Sequence, residues 1–285
     1  MLRQIGFELF KMSRRPRTYL GFAAFLVINF LVLLGVKYGD VGQMAANQAV
    51  GFGSELVGRT ATAEMMAWVT IASFASVPIL TMFMPFFVSL IFGEIVSGES
   101  ADGTLRTVLA RPVRRGSLFG AKFIACMIYV AGLVGFVGLS AYVMGWIAFG
   151  RGGFISMGTF EQPMITYYNS SEALYRLALA YGLTAAAMAA FGMIAFFIST
   201  WLSNSMGAIG GAVMLLFAMF IVGQIPYFAP VKNYLLSTHL LVGQKAFVDP
   251  MPWREIWTSL SYLGAYLAGL FAGSVLIFWR KDILT

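Results

Sequence analysis

Gly116, Gly120 and Lys122 stand close together in GESADGTLRTVLARPVRRGSLFGAKF, residues 98–123, and first suggest chemistry in this chain. A loop that cradles phosphates needs G-x-x-x-x-G-K-[ST]. The second glycine lets the backbone approach the phosphates, and the hydroxyl holds magnesium. The residues aligned on that pattern are Gly116, Ala121, Lys122 and Phe123, so that glycine and the hydroxyl are both missing. Other chemistry is just as scarce. His239 is the only histidine, which rules out an H-E-x-x-H zinc site and would make a Ser-His-Asp triad depend on that one residue. Asn169-Ser170-Ser171 is a formal glycosylation sequon, a triplet common by chance. The reading is a chain with no catalytic residue, no metal site and no bound cofactor.

The surrounding elements explain why the charge gathers there. Of 285 residues, 59% are hydrophobic and 11% charged, and mean hydropathy is +0.81. Soluble domains carry about 25% charged residues, so this is the composition of an integral membrane protein. Six apolar runs near the ~20 residues of a span are read at about 19–36, 66–92, 118–149, 176–201, 206–224 and 256–279. Ser13-Arg14-Arg15 before the first run is read as the flank of an uncleaved span in preference to a twin-arginine signal. Cys126 lies inside an apolar run and has no intrachain partner for a disulfide.

Basic residues set the orientation. With the N-terminus inside, the inner segments hold twelve basic and five acidic residues, and the outer segments seven of each. The whole net charge of +7 then lies on one face. Tryptophan favours the headgroup boundary. Trp68, Trp146, Trp253 and Trp257 fall at the proposed outer ends, and Trp201 and Trp279 at the inner ends. The expected architecture is therefore all-α and membrane-embedded, with six transmembrane helices and both termini cytoplasmic. Cationic residues placed between apolar runs make nucleic acid a poor partner and the bilayer the natural one.

The chain is read as one transmembrane domain, 1–285, with three special segments. In residues 1–17, Leu2, Ile5, Leu9 and Met12 recur at helical spacing, as in a helix lying flat in the headgroup layer, and Pro16 is expected to end it. Residues 225–255 mix prolines with apolar pieces too short to cross, so a partly re-entrant outer segment is expected. Residues 98–116 form a polar loop with its own short helix. Glu99 and Asp102 suit a helix start, Leu105, Val108 and Leu109 form an apolar stripe flanked by Arg106, and Pro112 stops it. An apolar stripe in a cytoplasmic loop calls for a covering partner. Pro78 and Pro85 are expected to kink the second span. Ala265, Gly269 and Gly273 allow close helix contact in the last.

The same stretch resembles the cytoplasmic signature of the type-2 ABC exporter permeases, the membrane subunits of one class of ATP-binding-cassette transporter. A Gly-Glu pair, Gly98 and Glu99, precedes Gly103, Thr104 and Leu105. A hydrophobic pair follows at Val108 and Leu109, and a Pro-Val-x-Arg element at Pro112, Val113 and Arg115. The Gly-Lys that opens the next span in that family is Ala121-Lys122 here, and Ala101 stands where an acid is common, with Asp102 the nearest. The resemblance implies a subunit that binds no ATP itself. It implies a second permease chain, two copies of a partner ABC ATPase carrying ATP and magnesium, and a bacterial or archaeal cytoplasmic membrane. The loop would be a coupling helix set in the ATPase, with Glu99 and Arg106 or Arg115 fixing register by charge.

In that family the substrate path runs near the second and fifth spans. These offer Met82, Met84 and Phe87, and Met214 and Phe217, a pliable surface that suits a lipid-like or hydrophobic cargo. The same residues suit contact with lipid or neighbouring helices equally well. The competing reading is a self-contained secondary transporter or channel. Such a protein calls for ionisable residues within the spans or an inverted repeat, and the sequence shows neither near a span's centre.

Overall fold

The computed structural model describes residues 2–38, 78–101, 103, 115–149, 154–156, 166–168 and 170–280. Its helices are α1 (Leu2–Ser13), α2 (Pro16–Tyr38), α3 (Pro78–Ala101), α4 (Arg115–Phe149), α5 (Ser170–Trp201), α6 (Ser205–Gln224), two single turns α7 (Ala229–Lys232) and α8 (Leu236–His239), and α9 (Trp253–Arg280). The six long helices α2 to α6 and α9 are each long and apolar enough to cross a bilayer. The protein is an all-α, multi-pass membrane protein. One detail was not expected: strands β1 (Phe154–Ser156) and β2 (Thr166–Tyr168) pair antiparallel, Ile155 opposite Tyr167, between α4 and α5.

Helices α3 and α5 form the interior, with 67% and 61% of their spanning windows buried, against 22%, 17% and 11% for α2, α6 and α9. Small residues let the interior close. A Cβ on Gly93 of α3 would come within 3.1 Å of the Ile209 backbone nitrogen on α6. One on Gly192 of α5 would meet the Phe92 ring. Aromatic rings fill the gap between α4, α5 and α9: Phe119 lies 5.1 Å from Phe196 and 4.9 Å from Phe278, and Phe123 lies 4.6 Å from Phe271. Asn29 of α2 donates to Ser140 Oγ of α4 at 2.9 Å, a polar tie between two spans.

Two boundaries differ from the sequence reading. Pro16 begins α2, after a break at Arg14 and Arg15, because proline's missing N–H costs nothing in a first turn. Helix α3 runs on to Ala101, so Gly98 and Glu99 belong to the helix and not to the loop after it; residues 66–77 lie outside the described part. Glutamates at 94 and 99 read as loop because exposed ends carry charge, but here both find cationic partners. Pro85 is accommodated within a continuous α3.

The 225–255 segment is a chain of short helical turns: a 3-10 turn at Pro226–Phe228, α7, α8, and a 3-10 stretch at Leu240–Phe247. It packs its apolar residues Leu236, Leu240, Val242, Ala246 and Phe247 inward. Gly243 sits directly on α5, where an added Cβ would lie 2.8 Å from the Ala180 carbonyl. That contact is roughly 15–20 Å along α5 from its first residues, so the segment descends beside the helix.

Candidate functional site

Among the described residues, the densest polar constellation lies where α1, the end of α3 and the start of α4 meet. Glu8, Glu99 and Lys122 are 3%, 2% and 0% exposed. Lys122 Nζ stands 2.7 Å from Glu99 Oε1 and 3.2 Å from Glu8 Oε2, and donates to the Ile95 carbonyl at 3.3 Å. Lys11 pairs with the same Glu99 oxygen. Beside this core, Arg15 and Arg17 reach Glu94 Oε1 at 2.9 and 3.1 Å. Ser117 donates to Gln4 at 2.5 Å, a second tie between α1 and α4. Four cations thus face three carboxylates around a cavity of about 20 Å³ lined by Glu8, Lys11, Arg15, Thr18, Glu94 and Glu99, room for about one water molecule.

Local structure explains the assembly. On α1, Ile5, Glu8 and Met12 share a face at helical spacing, so docking the apolar residues carries Glu8 inward with them. Lys122 enters two turns into α4, where only burial or snorkelling is available to a cation. Buried charges need partners, and these two supply each other.

This constellation ties together the two helices that flank the polar loop. Gly103, just past α3, adopts φ +66, the left-handed conformation that glycine takes at a helix end. Asp102, Thr104, Leu105, Arg106, Val108, Leu109 and Pro112 lie outside the described residues, as does the Arg115 side chain, although Arg115 opens α4. Glu99 is directed into the protein, onto Lys11 and Lys122.

Nearly the whole sequence can be placed by comparison. A family model described as ABC-2 family transporter protein matches residues 9–283. The chain belongs to the ABC-2 transporter family. Comparison with curated proteins gives no match. Membership makes this ABC-2 protein a membrane component of an ABC transporter and implies an ABC ATPase as its partner.

Of the residues read as substrate path in the ABC-2 protein, Met84 is fully enclosed, and Phe87 packs edge-on against Phe25 at 5.6 Å. Met214 and Phe217 are 76% and 46% exposed on α6. The side chain of Met82 lies outside the described residues. The described four therefore do not share one surface. Sequence reasoning missed the Glu8–Lys122 pairing, whose only signal was a lysine just inside an apolar run.

At the opposite end, Arg176 of α5 fastens the descending segment. Its guanidinium donates to Glu172 at 2.9 and 3.1 Å, to the Ala246 and Val248 carbonyls at 3.3 and 3.0 Å, and to Asp249 at 3.2 Å. Nearby, His239 stacks on Tyr262 at 4.7 Å, with Nε2 2.9 Å from the Asn233 carbonyl. Burial pushes the His239 imidazole below its ordinary pKa; the Asn233 contact opposes this, and the Lys245 ammonium adds to it. The folded segment thus binds the proton less readily than an unfolded one, whose pKa is about 6.5. Stability gained at neutral pH is expected to decline as pH falls below about 6.5 and to level off below the folded value. Thermal unfolding from pH 7.5 to 5 checks this, and His239→Gln should flatten the slope.

Proposed function

We propose that the chain is the permease subunit of an ABC exporter, a non-catalytic partner of two copies of an ATPase that carry ATP and magnesium. Two such chains form the path as a homodimer in a bacterial or archaeal cytoplasmic membrane, and both termini are cytoplasmic. The loop between α3 and α4 is the coupling element: Leu105, Val108 and Leu109 give contact area in the ATPase, and Arg106 and Arg115 set register. Glu99 serves that loop from behind, as part of its anchorage.

The observation that carries this reading is the buried ion cluster at the loop's base. A lever works only if its mounting does not yield. Lys122, Glu99, Glu8 and Lys11 join both helices flanking the loop to α1 in a close-packed region. A push on the loop is then passed to α3, the most buried spanning helix among the described residues. The cargo is lipid-like or hydrophobic, a reading supported by the methionine and phenylalanine content of α3 and α6.

Replacing Leu105 and Leu109 together with Asp tests the coupling role. The double variant should still insert in the membrane yet lose co-purification of the ATPase, by roughly 100-fold or more in affinity for two apolar anchors lost. Unchanged co-purification would sink the coupling assignment.

A further inference from the structure

The structure reverses the faces of α1 that its sequence pattern suggests. Ile5, Leu9 and Met12 turn inward, where Met12 is 6% exposed, and they take Glu8 with them. What stands outward is a different stripe: Arg3, Phe7 and Phe10 of α1 and Arg14 in the turn just after it, at helical spacing, with Leu2 beside it. Leu2, Phe7 and Phe10 are 86%, 63% and 56% exposed. The Arg14 guanidinium lies 5.0 Å over the Phe10 ring. We propose that this face of α1 docks on anionic phospholipid, its rings among the acyl chains and Arg3 and Arg14 on the headgroup phosphates.

Charge separation across the helix argues for that occupant. Glu8 is the only acid of α1, and Lys122 holds it on the inward side. The outward stripe is left with two arginines and no carboxylate, whereas Arg15 and Arg17 are already satisfied by Glu94. Position argues the same way. Helix α1 is joined to α2, the first spanning helix, by only two residues, so it lies at the level of the headgroups. Exposed rings flanked by cations with long apolar stems match that boundary, where the stems lie along the rings and the charges meet phosphate. Lipid docking by α1 does not depend on the transporter reading.

Phe10→Trp places a reporter on the stripe while keeping a ring under Arg14. The full chain carrying it is reconstituted in phosphatidylcholine nanodiscs doped with dibrominated phosphatidylglycerol or dibrominated phosphatidylcholine. Quenching is read as the difference from the parent protein. Each arginine near an anionic surface is worth about a five-fold enrichment, so the introduced indole should favour the anionic quencher by at least about ten-fold. Adding Arg3→Gln and Arg14→Gln should abolish that preference and leave quenching of the native tryptophans unchanged. Equal quenching by the two lipids overturns the proposal, and so does no added quenching, which would mean that protein covers the face. Phe7→Trp on the same stripe serves if Phe10→Trp does not fold.

Discussion

Replacing Lys122 with Met should destabilise the protein by about 3–5 kcal/mol, the usual cost of removing one partner from a buried ion cluster. Methionine fills nearly the same volume, so packing is not what is lost. What remains is Glu8 and Glu99, both buried. Among the described residues, Lys11 is then the cation still paired with Glu99, and Glu8 has lost its ion pair. The midpoint of thermal unfolding in lipid nanodiscs should fall by on the order of 10 °C. A double variant, Lys122→Met with Glu8→Gln, removes one stranded charge and should recover part of the loss. A drop below about 1 kcal/mol in the single variant would show that the carboxylates are not dependent on this lysine, and the anchorage argued for the loop would go with it.

The second large effect concerns Arg176. Its fork holds two backbone carbonyls of the descending segment and two carboxylates at once, an arrangement that lysine cannot reproduce. Arg176→Leu leaves the Ala246 and Val248 carbonyls without that donor and Glu172 and Asp249 facing each other uncompensated. A loss of about 3 kcal/mol follows from one to two unsatisfied buried groups. The segment from 226 to 247 should then open about 100-fold more often, read as faster cleavage by an added protease. Arg176→Lys should fall between the two. The carboxylates are about half exposed, so solvent screens their repulsion and the carbonyls carry most of the effect. Cleavage as slow as in the parent would show that Gly243 and its apolar neighbours hold the segment by themselves.

Much of this architecture was legible in the chain because a bilayer imposes a long-range rule on local composition. Each spanning helix must be apolar over its own length, whatever it packs against. For that reason the runs beginning near 19, 118, 176, 206 and 256 match α2, α4, α5, α6 and α9 within a few residues. The end of α3 was not legible. Glu94 and Glu99 look like loop residues until Arg15, Lys11 and Lys122 are seen beside them. Arg15 is 79 residues from Glu94 and Lys11 is 88 from Glu99, while Lys122 arrives from the next helix. The two faces of α1 were misjudged for a related reason. Periodicity shows that a helix has an apolar stripe but not which neighbour claims it, and Phe7 and Phe10 sit outside the stripe that does dock.

By itself, the sequence determined the class of the protein, the six long apolar helices found among the described residues, the absence of a phosphate loop in residues 98–123 and the family signature there. These rest on residue type and short spacing, which need no tertiary contact to be read. Only the tertiary structure decided that Lys122, Glu8 and Glu99 form one cluster, that Arg176 clasps the segment before α9, and that α1 shows an arginine-aromatic face outward. Charge pairing in a low-dielectric interior depends on distances of about 3 Å between distant parts of the chain, and no local pattern encodes those.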